Sequence, residues 1–265
     1  MPDDEFQQRY GPVALVTGAS SGIGWGFAED LAGRGLDLVL VARREDRLRA
    51  LATELSARHG TRVTALPLDL ARTDAAERIM QATEATDIGL VVSNAGFGAK
   101  GPHENMDPAE ILAMLMVNCN MPMQLARGFI PRLRARGRGG LLLTSSVEAM
   151  IGCPNSACYS ASKALVNAFG EALWAELHPC GIDVLTLCPG ATDTEAVAKQ
   201  GIDRSKLADL KTGREVARLA LDAMRKGPTF FSSAHYKATF EQLLLMPRRD
   251  ALLAMAAAGT GQKGE

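Results

Sequence analysis

The chain has little of what metal and redox sites are built from. Its five cysteines, at positions 119, 153, 158, 180 and 188, form no C-x-x-C pair, and His59, His103, His178 and His235 stand isolated in the sequence. No ligand spacing emerges, so no catalytic metal is expected, and no Ser-His-Asp arrangement can be assembled from the sequence alone. The thiols read as reduced packing residues. Cys153 and Cys158, close to Tyr159, are the two placed where a reactive thiol could matter.

Charge of one sign is also lacking: 29 Lys and Arg stand against 30 Asp and Glu, a net charge of −1. That gives no electrostatic footprint for nucleic acid, and the basic run Arg127–Arg138 reads as a solvated helix end and loop. No apolar run approaches the ~20 residues needed to cross a bilayer. The acidic opening Met1-Pro-Asp-Asp-Glu5 lacks the basic and apolar regions of a signal peptide, so a cytoplasmic protein with no membrane partner is expected.

What is present is alternation of strands and helices. Strand patterns fall near residues 13–17, 37–42, 61–68, 89–93, 140–145, 182–188 and 228–232, with helical patterns between them. This predicts an α/β fold, a Rossmann-like doubly wound parallel sheet of about seven strands with helices on both faces. Length and the absence of a linker predict one domain over residues 1–265, with about 1–10 and 257–265 as flexible tails. Two long helical segments stand out, Pro108–Arg136 and Ser156–Leu177.

The first strand runs into Gly18-Ala-Ser20-Ser21-Gly22-Ile23-Gly24 and then a helix. Glycines let the backbone turn sharply and approach a pyrophosphate, while the N–H groups and dipole of a helix starting near Ile23 attract the anion. About 20 residues further on, the second strand ends at Arg43 and Arg44, where a dinucleotide site presents a side chain to the adenosine ribose. An acid there would accept from both ribose hydroxyls, whereas a guanidinium suits a 2′-phosphate. NADP(H) is therefore expected over NAD(H).

Tyr159 and Lys163, spaced Y-S-A-S-K, share one face of a helix. Tyrosine has a reference pKa of about 10. A unit charge about 4 Å away at an effective dielectric of about 20 is worth up to about 4 kcal/mol, roughly three pKa units. Lys163 is thus expected to stabilise the phenolate and allow proton transfer near neutrality.

Together these motifs resemble the short-chain dehydrogenase/reductase family from end to end, apart from the short tails. Asp69 and Leu70 follow the third strand, Asn94-Ala95-Gly96 follows the fourth, Asn118 lies on the long helix, Ser146 precedes Tyr159 by thirteen residues, and Pro189-Gly190-Ala-Thr192-Asp-Thr194 follows the sixth strand. The run Val39–Leu48 with Leu187-Cys-Pro-Gly190 resembles a broad, NADP-preferring bacterial branch whose substrate range is poorly defined. The resemblance implies a catalytic set of Asn118, Ser146, Tyr159 and Lys163, with Tyr159 as proton donor, Ser146 on the substrate oxygen, and Asn118 anchoring a water relay to Lys163. It implies cofactor contacts from Asp69 and Leu70 at the adenine, from Asn94, Ala95 and Gly96 at the adenosine side, and from Pro189, Gly190, Thr192 and Thr194 near the nicotinamide and diphosphate. It also implies a homodimer or homotetramer. Two residues depart from the family pattern: Ser93 stands where many relatives have asparagine, and Thr192 where an aliphatic residue is common.

The expected activity is NADPH-dependent reduction of a ketone or 3-oxoacyl carbonyl, the small-molecule substrate being apolar. Oxidation of an alcohol by the same residues and non-catalytic NADP(H) sensing are the alternatives. Phe97–Met106, Val147–Asn155 and Glu195–Leu210 are expected to line the pocket, with Phe97, Met150, Ile151 and Val197 contributing. For the C-terminal segment 236–258 three readings stand side by side: a cover for that pocket, a contact with another subunit, or an ordinary surface helix.

Overall fold

A computed structural model of the chain describes residues 4–195, 197 and 203–260. Among these, nine strands follow in order: β1 (Val13–Thr17), β2 (Asp37–Ala42), β3 (Val63–Pro67), β4 (Ile88–Ser93), β5 (Gly139–Thr144), β6 (Ile182–Cys188), β7 (Thr192–Asp193), β8 (Lys211–Thr212) and β9 (Thr229–Phe231). Seven form one sheet in the order β3-β2-β1-β4-β5-β6-β9, every neighbouring pair parallel. The two-residue strands β7 and β8 pair separately beyond the end of β6.

Strand periodicity places alternate residues in two cores, one on each sheet face. Ala14 and Val16 of β1 join Leu38 and Leu40 of β2 against α2 (Gly22–Gly33), whose Phe27 and Leu31 are fully buried. Val13, Leu15, Val39 and Val41 face the other way, toward Ile79 of α4 (Ala75–Ala82) and Phe129 of α6 (Met121–Arg136). α3 (Glu45–His59) closes the first face and stops at Gly60, whose φ of 71° is the left-handed conformation that glycine supplies without strain.

Three features differ from the sequence expectation. Residues 4–10, expected within a flexible tail, form a helix, α1 (Asp4–Tyr10), because Phe6 and Tyr10 lie one turn apart on its inner face and both are buried. Tyr10 Oη donates to Asp183 Oδ2 at 2.6 Å, and Arg9 pairs with the same carboxylate. At the other end, the helix Arg248–Thr260 extends into the expected tail, and residues 261–265 lie outside the described residues. The long segment Pro108–Arg136 is not one regular helix either. α5 (Pro108–Leu115) passes through a π turn at Met116–Asn120 before α6 begins. Such turns insert one residue per turn and re-aim a side chain, here Asn118. α7 (Ala157–Leu177) follows the expected segment closely.

Candidate active site

The chain turns outward from β1 to β2 and from β4 to β5, so the sheet opens a crevice beyond Thr17 and Ser93, where open α/β sheets hold ligands. Gly18 and Gly22 take positive φ, 69° and 56°. A Cβ at Gly18 would stand 2.8 Å from Ala95 Cα, and one at Gly24 would overlap the Gly18 carbonyl, so the turn closes only on glycine. α2 starts at Gly22, and its N-cap residue Ser21 makes no side-chain cap bond, leaving first-turn N–H groups without a side-chain acceptor. A cavity of about 870 Å³ opens there, lined by Ser20, Ser21, Gly22, Trp25, Thr194 and Glu195 among others. A backbone cradle with unspent donors at a helix N-terminus fits a dinucleotide's phosphates.

Other residues expected at the cofactor are already occupied. Asn94 Nδ2 donates to the Thr17 carbonyl at 3.1 Å, and its Oδ1 accepts from Thr144 Oγ1 at 3.3 Å. Thr17 Oγ1 accepts from the Asn94 and Ala95 N–H groups at 3.0 and 3.1 Å. Asn94 thus stitches β4 to β1 and β5 across the crevice floor, while Gly96 remains exposed beside it. Asp69 is exposed and accepts from Ala71 N at 3.1 Å; Leu70 is buried. Thr192 Oγ1 donates to the Gly190 carbonyl, and the Pro189 carbonyl accepts from Val147 N. Arg43 is exposed and makes no hydrogen bond or ion pair with described residues, whereas Arg44 is bonded to Ser20 and Glu195.

The four catalytic candidates come together at the ends of β4 and β5. Lys163 is 3% exposed; its Nζ donates to the Thr144 carbonyl at 2.9 Å and lies 5.7 Å from the centroid of the Tyr159 ring. Burial lowers its pKa to about 8. A Cβ at Gly96 would stand 3.1 Å from Lys163 Nζ and from Asn118 Oδ1, so a larger residue there would crowd both polar groups. Asn118 clasps the neighbouring loop: Nδ2 donates to the Phe97 carbonyl (2.9 Å) and Ser162 Oγ (3.0 Å), and Oδ1 accepts from Phe97 N (3.1 Å). Both amide hydrogens are spent within the protein, so neither is free for a water relay.

Tyr159 departs from expectation in direction. Its pKa is raised, first by burial and then by the Glu148 carboxylate, against a hydrogen bond with Ser146 that lowers it. Desolvation outweighs the help of Lys163, whose Nζ is bonded to the Thr144 carbonyl, so the phenol is shifted toward its protonated form. Ser146 is 7% exposed, and its Oγ accepts from Glu148 N at 3.1 Å, which leaves the hydroxyl hydrogen for another acceptor. Neither Glu148 nor the Thr144 carbonyl was visible as a participant in the sequence, since a backbone oxygen leaves no residue-type signal.

Two of the expected pocket loops meet over Tyr159. A Cβ at Gly98 would stand 2.8 Å from Tyr159 Cδ2, so this loop lies against the ring. Lys100 Nζ pairs with Glu148 Oε1 at 3.0 Å, and Gly101 N donates to the Asn155 carbonyl at 2.8 Å, joining the walls. Ile151 does not face the cleft. It is 2% exposed and packs with Val147, Phe240 and Ala251, where the helices Ala234–Leu245 and Arg248–Thr260 cover the outside of that wall; Met150 packs against the same cluster. Phe97 is partly buried against the second core, and Val197 is half-buried. Much of the expected 195–210 wall, namely residues 196 and 198–202, lies outside the described residues. Cys153 is pushed up to about 11 by burial and Cys188 to about 12, which marks both as packing thiols.

Residues 12–205 match the short chain dehydrogenase family. The chain belongs to that family. This short-chain dehydrogenase is 30% identical to a 7beta-hydroxysteroid dehydrogenase of Clostridium sardiniense over 246 residues, 92% of this chain and 94% of the relative. Among solved structures it resembles a short-chain dehydrogenase from Sphingobium yanoikuyae in complex with NADPH, at 32% identity, TM-score 0.80 and 96% of each chain. It also resembles a bulky-bulky ketone specific alcohol dehydrogenase from Comamonas testosteroni, at 28% identity, TM-score 0.76, covering 97% of this chain and 96% of the other. The short-chain dehydrogenase described here is accordingly an oxidoreductase of the carbonyl and alcohol pair that uses a nicotinamide dinucleotide. No helix among its described residues is long and apolar enough to cross a membrane.

Proposed function

We propose that the protein reduces an apolar ketone or 3-oxoacyl carbonyl with NADPH. The observation that carries this reading is the convergence of Tyr159, Ser146 and Lys163 at the crevice that the glycine turn opens, with Lys163 Nζ 5.7 Å from the centroid of the Tyr159 ring and burial holding the Tyr159 pKa above its ordinary value. When bound in this crevice, a nicotinamide would supply the hydride that the carbonyl carbon receives. Tyr159 Oη gives its proton to the substrate oxygen, and the Ser146 hydroxyl donates to the same oxygen as negative charge develops on it. Lys163 holds its cation beside the ring and offers its remaining N–H groups to the nicotinamide ribose. Asn118 acts by position, fixing the Phe97 loop against Lys163. Gly18 to Gly24 and Thr194 would border the diphosphate, Asp69 and Leu70 the adenine, Gly96 the adenosine side, and Pro189 to Thr192 the nicotinamide. Arg43, exposed and without a partner among the described residues, is the residue that turns the site toward a 2′-phosphate.

Substrate class is supported by the named activities of the relatives, which act on hydroxysteroids and bulky ketones. The reading keeps the protein cytoplasmic and gives it a second copy of itself as partner. Leu112 and Leu115 of α5 and Leu165 of α7, 62%, 40% and 39% exposed, supply an apolar face for that contact. Initial rates of NADPH and NADH oxidation across ketones, steroids and 3-oxoacyl thioesters test the proposal. Turnover confined to small, highly charged carbonyls would overturn the substrate class.

A further inference from the structure

Arg44 spends its guanidinium within the protein. Nε donates to Ser20 Oγ at 3.2 Å, Nη2 to the Ser20 carbonyl at 3.1 Å, and Nη1 to Glu195 Oε2 at 2.6 Å. The other Glu195 oxygen pairs with Arg47 Nη1. These partners lie about 150 residues apart in the chain, and the contact carries the segment after β7 across the glycine turn to the start of α3. Thr194, next to Glu195, reinforces the crossing: a Cβ on Gly22 would stand 2.9 Å from its Cγ2. Glu195 is half-exposed, and the hydrogen bonds from Arg44 and then Arg47 lower its pKa, so it stays anionic through the neutral range.

An anion is already held by two guanidiniums just past β2, Arg44 at the N-cap of α3 and Arg47 within that helix, and Arg44 is one of the two arginines to which the cofactor reading assigns a 2′-phosphate. We propose that Glu195 is a resident counter-anion of the 2′-phosphate site and so a specificity-determining residue, restraining the preference for a phosphorylated ribose. The inference rests on the NADP(H) reading above. A phosphate arriving at Arg44 or Arg47 competes for the same donors and meets a like charge at hydrogen-bond range of them. A ribose with a free 2′-hydroxyl meets no such repulsion. Arg43, which has no partner among the described residues, is left to make the first contact with the phosphate, and full engagement of Arg44 requires Glu195 to let go.

Calorimetric titration with adenosine 2′,5′-bisphosphate and with adenosine 5′-monophosphate, on wild type and Glu195→Gln, separates these effects. The variant is expected to bind the bisphosphate about fivefold more tightly, as loss of one exposed like charge allows, and the monophosphate within about twofold of wild type. An unchanged melting temperature confirms that the variant is folded. If the wild type prefers the bisphosphate and the variant shows the same or a weaker preference, the counter-anion role is overturned and the NADP(H) reading stands. If neither protein distinguishes the two probes, the NADP(H) reading fails and this inference fails with it. A preference that emerges only in the variant supports both.

Discussion

Lys163 Nζ donates to the Thr144 carbonyl at 2.9 Å, fastening the first half of α7 to the C-terminal end of β5. The bond holds an ammonium among buried groups, where desolvation brings its pKa down to about 8. The sign follows directly. The cation is present below about pH 8 and is lost above it, while Tyr159, shifted upward, still carries its proton there. kcat/KM for ketone reduction is therefore expected to hold level up to neutral pH and fall as pH rises through about 8. A profile that stays flat to pH 10 would contradict the assignment of Lys163.

Gly98 sets the position of the proton donor. With Tyr159 Cδ2 only 2.8 Å from where a Cβ would stand, Gly98→Ala must push either the ring or its loop aside. Misplacement of a reacting group by about 1 Å costs on the order of a hundredfold in rate. The variant should lose about ten- to a hundredfold in kcat while its NADPH dissociation constant, measured by fluorescence, stays within about twofold. Equal loss in binding and turnover would mean that Gly98 serves the cofactor instead.

At the end of β2, charge decides between cofactors. Arg43→Asp replaces a guanidinium that has no partner among the described residues with a carboxylate that repels a 2′-phosphate and accepts from ribose hydroxyls. Charge-assisted contacts of this kind are worth about 1.5–3 kcal/mol, so the NADPH preference in kcat/KM should fall by about ten- to a hundredfold. Retained preference would move the specificity to Arg44 and Arg47.

The N-terminal helix contributes to stability. Tyr10 is 2% exposed, packs against Phe6 in a tilted arrangement with ring centroids 4.6 Å apart, and donates to Asp183. Tyr10→Ala should cost about 3 kcal/mol or more in urea denaturation, as large aromatic truncations in cores do, and leave kcat near wild type. A change below about 0.5 kcal/mol would return the segment to the status of a tail.

These elements were unequally legible in the sequence. Alternation along Val13-Ala-Leu-Val-Thr17 sends successive residues to opposite sheet faces, and the structure divides them between two cores accordingly. The pairing of Tyr159 with Lys163 follows from helical spacing alone. α1 was not legible because a seven-residue helix with two apolar positions has too little periodicity to stand out. Glu148 and Glu195 were missed for another reason: each acts on residues that only the fold brings near, Lys100 and Tyr159 for one, Arg44 and Arg47 for the other. The π turn at Asn118 and the inward packing of Ile151 depend on Phe97 and on the C-terminal helices, tens of residues away.

The central claim is that Tyr159 protonates a carbonyl oxygen reduced with NADPH, and single-turnover oxidation of bound NADPH at 340 nm by a saturating bulky ketone tests it most directly. Wild type should turn over, and Tyr159→Phe should bind NADPH as tightly but react about 10²- to 10⁴-fold more slowly, the range typical of a lost general acid. Reaction of the phenylalanine variant within about threefold of wild type would contradict the account.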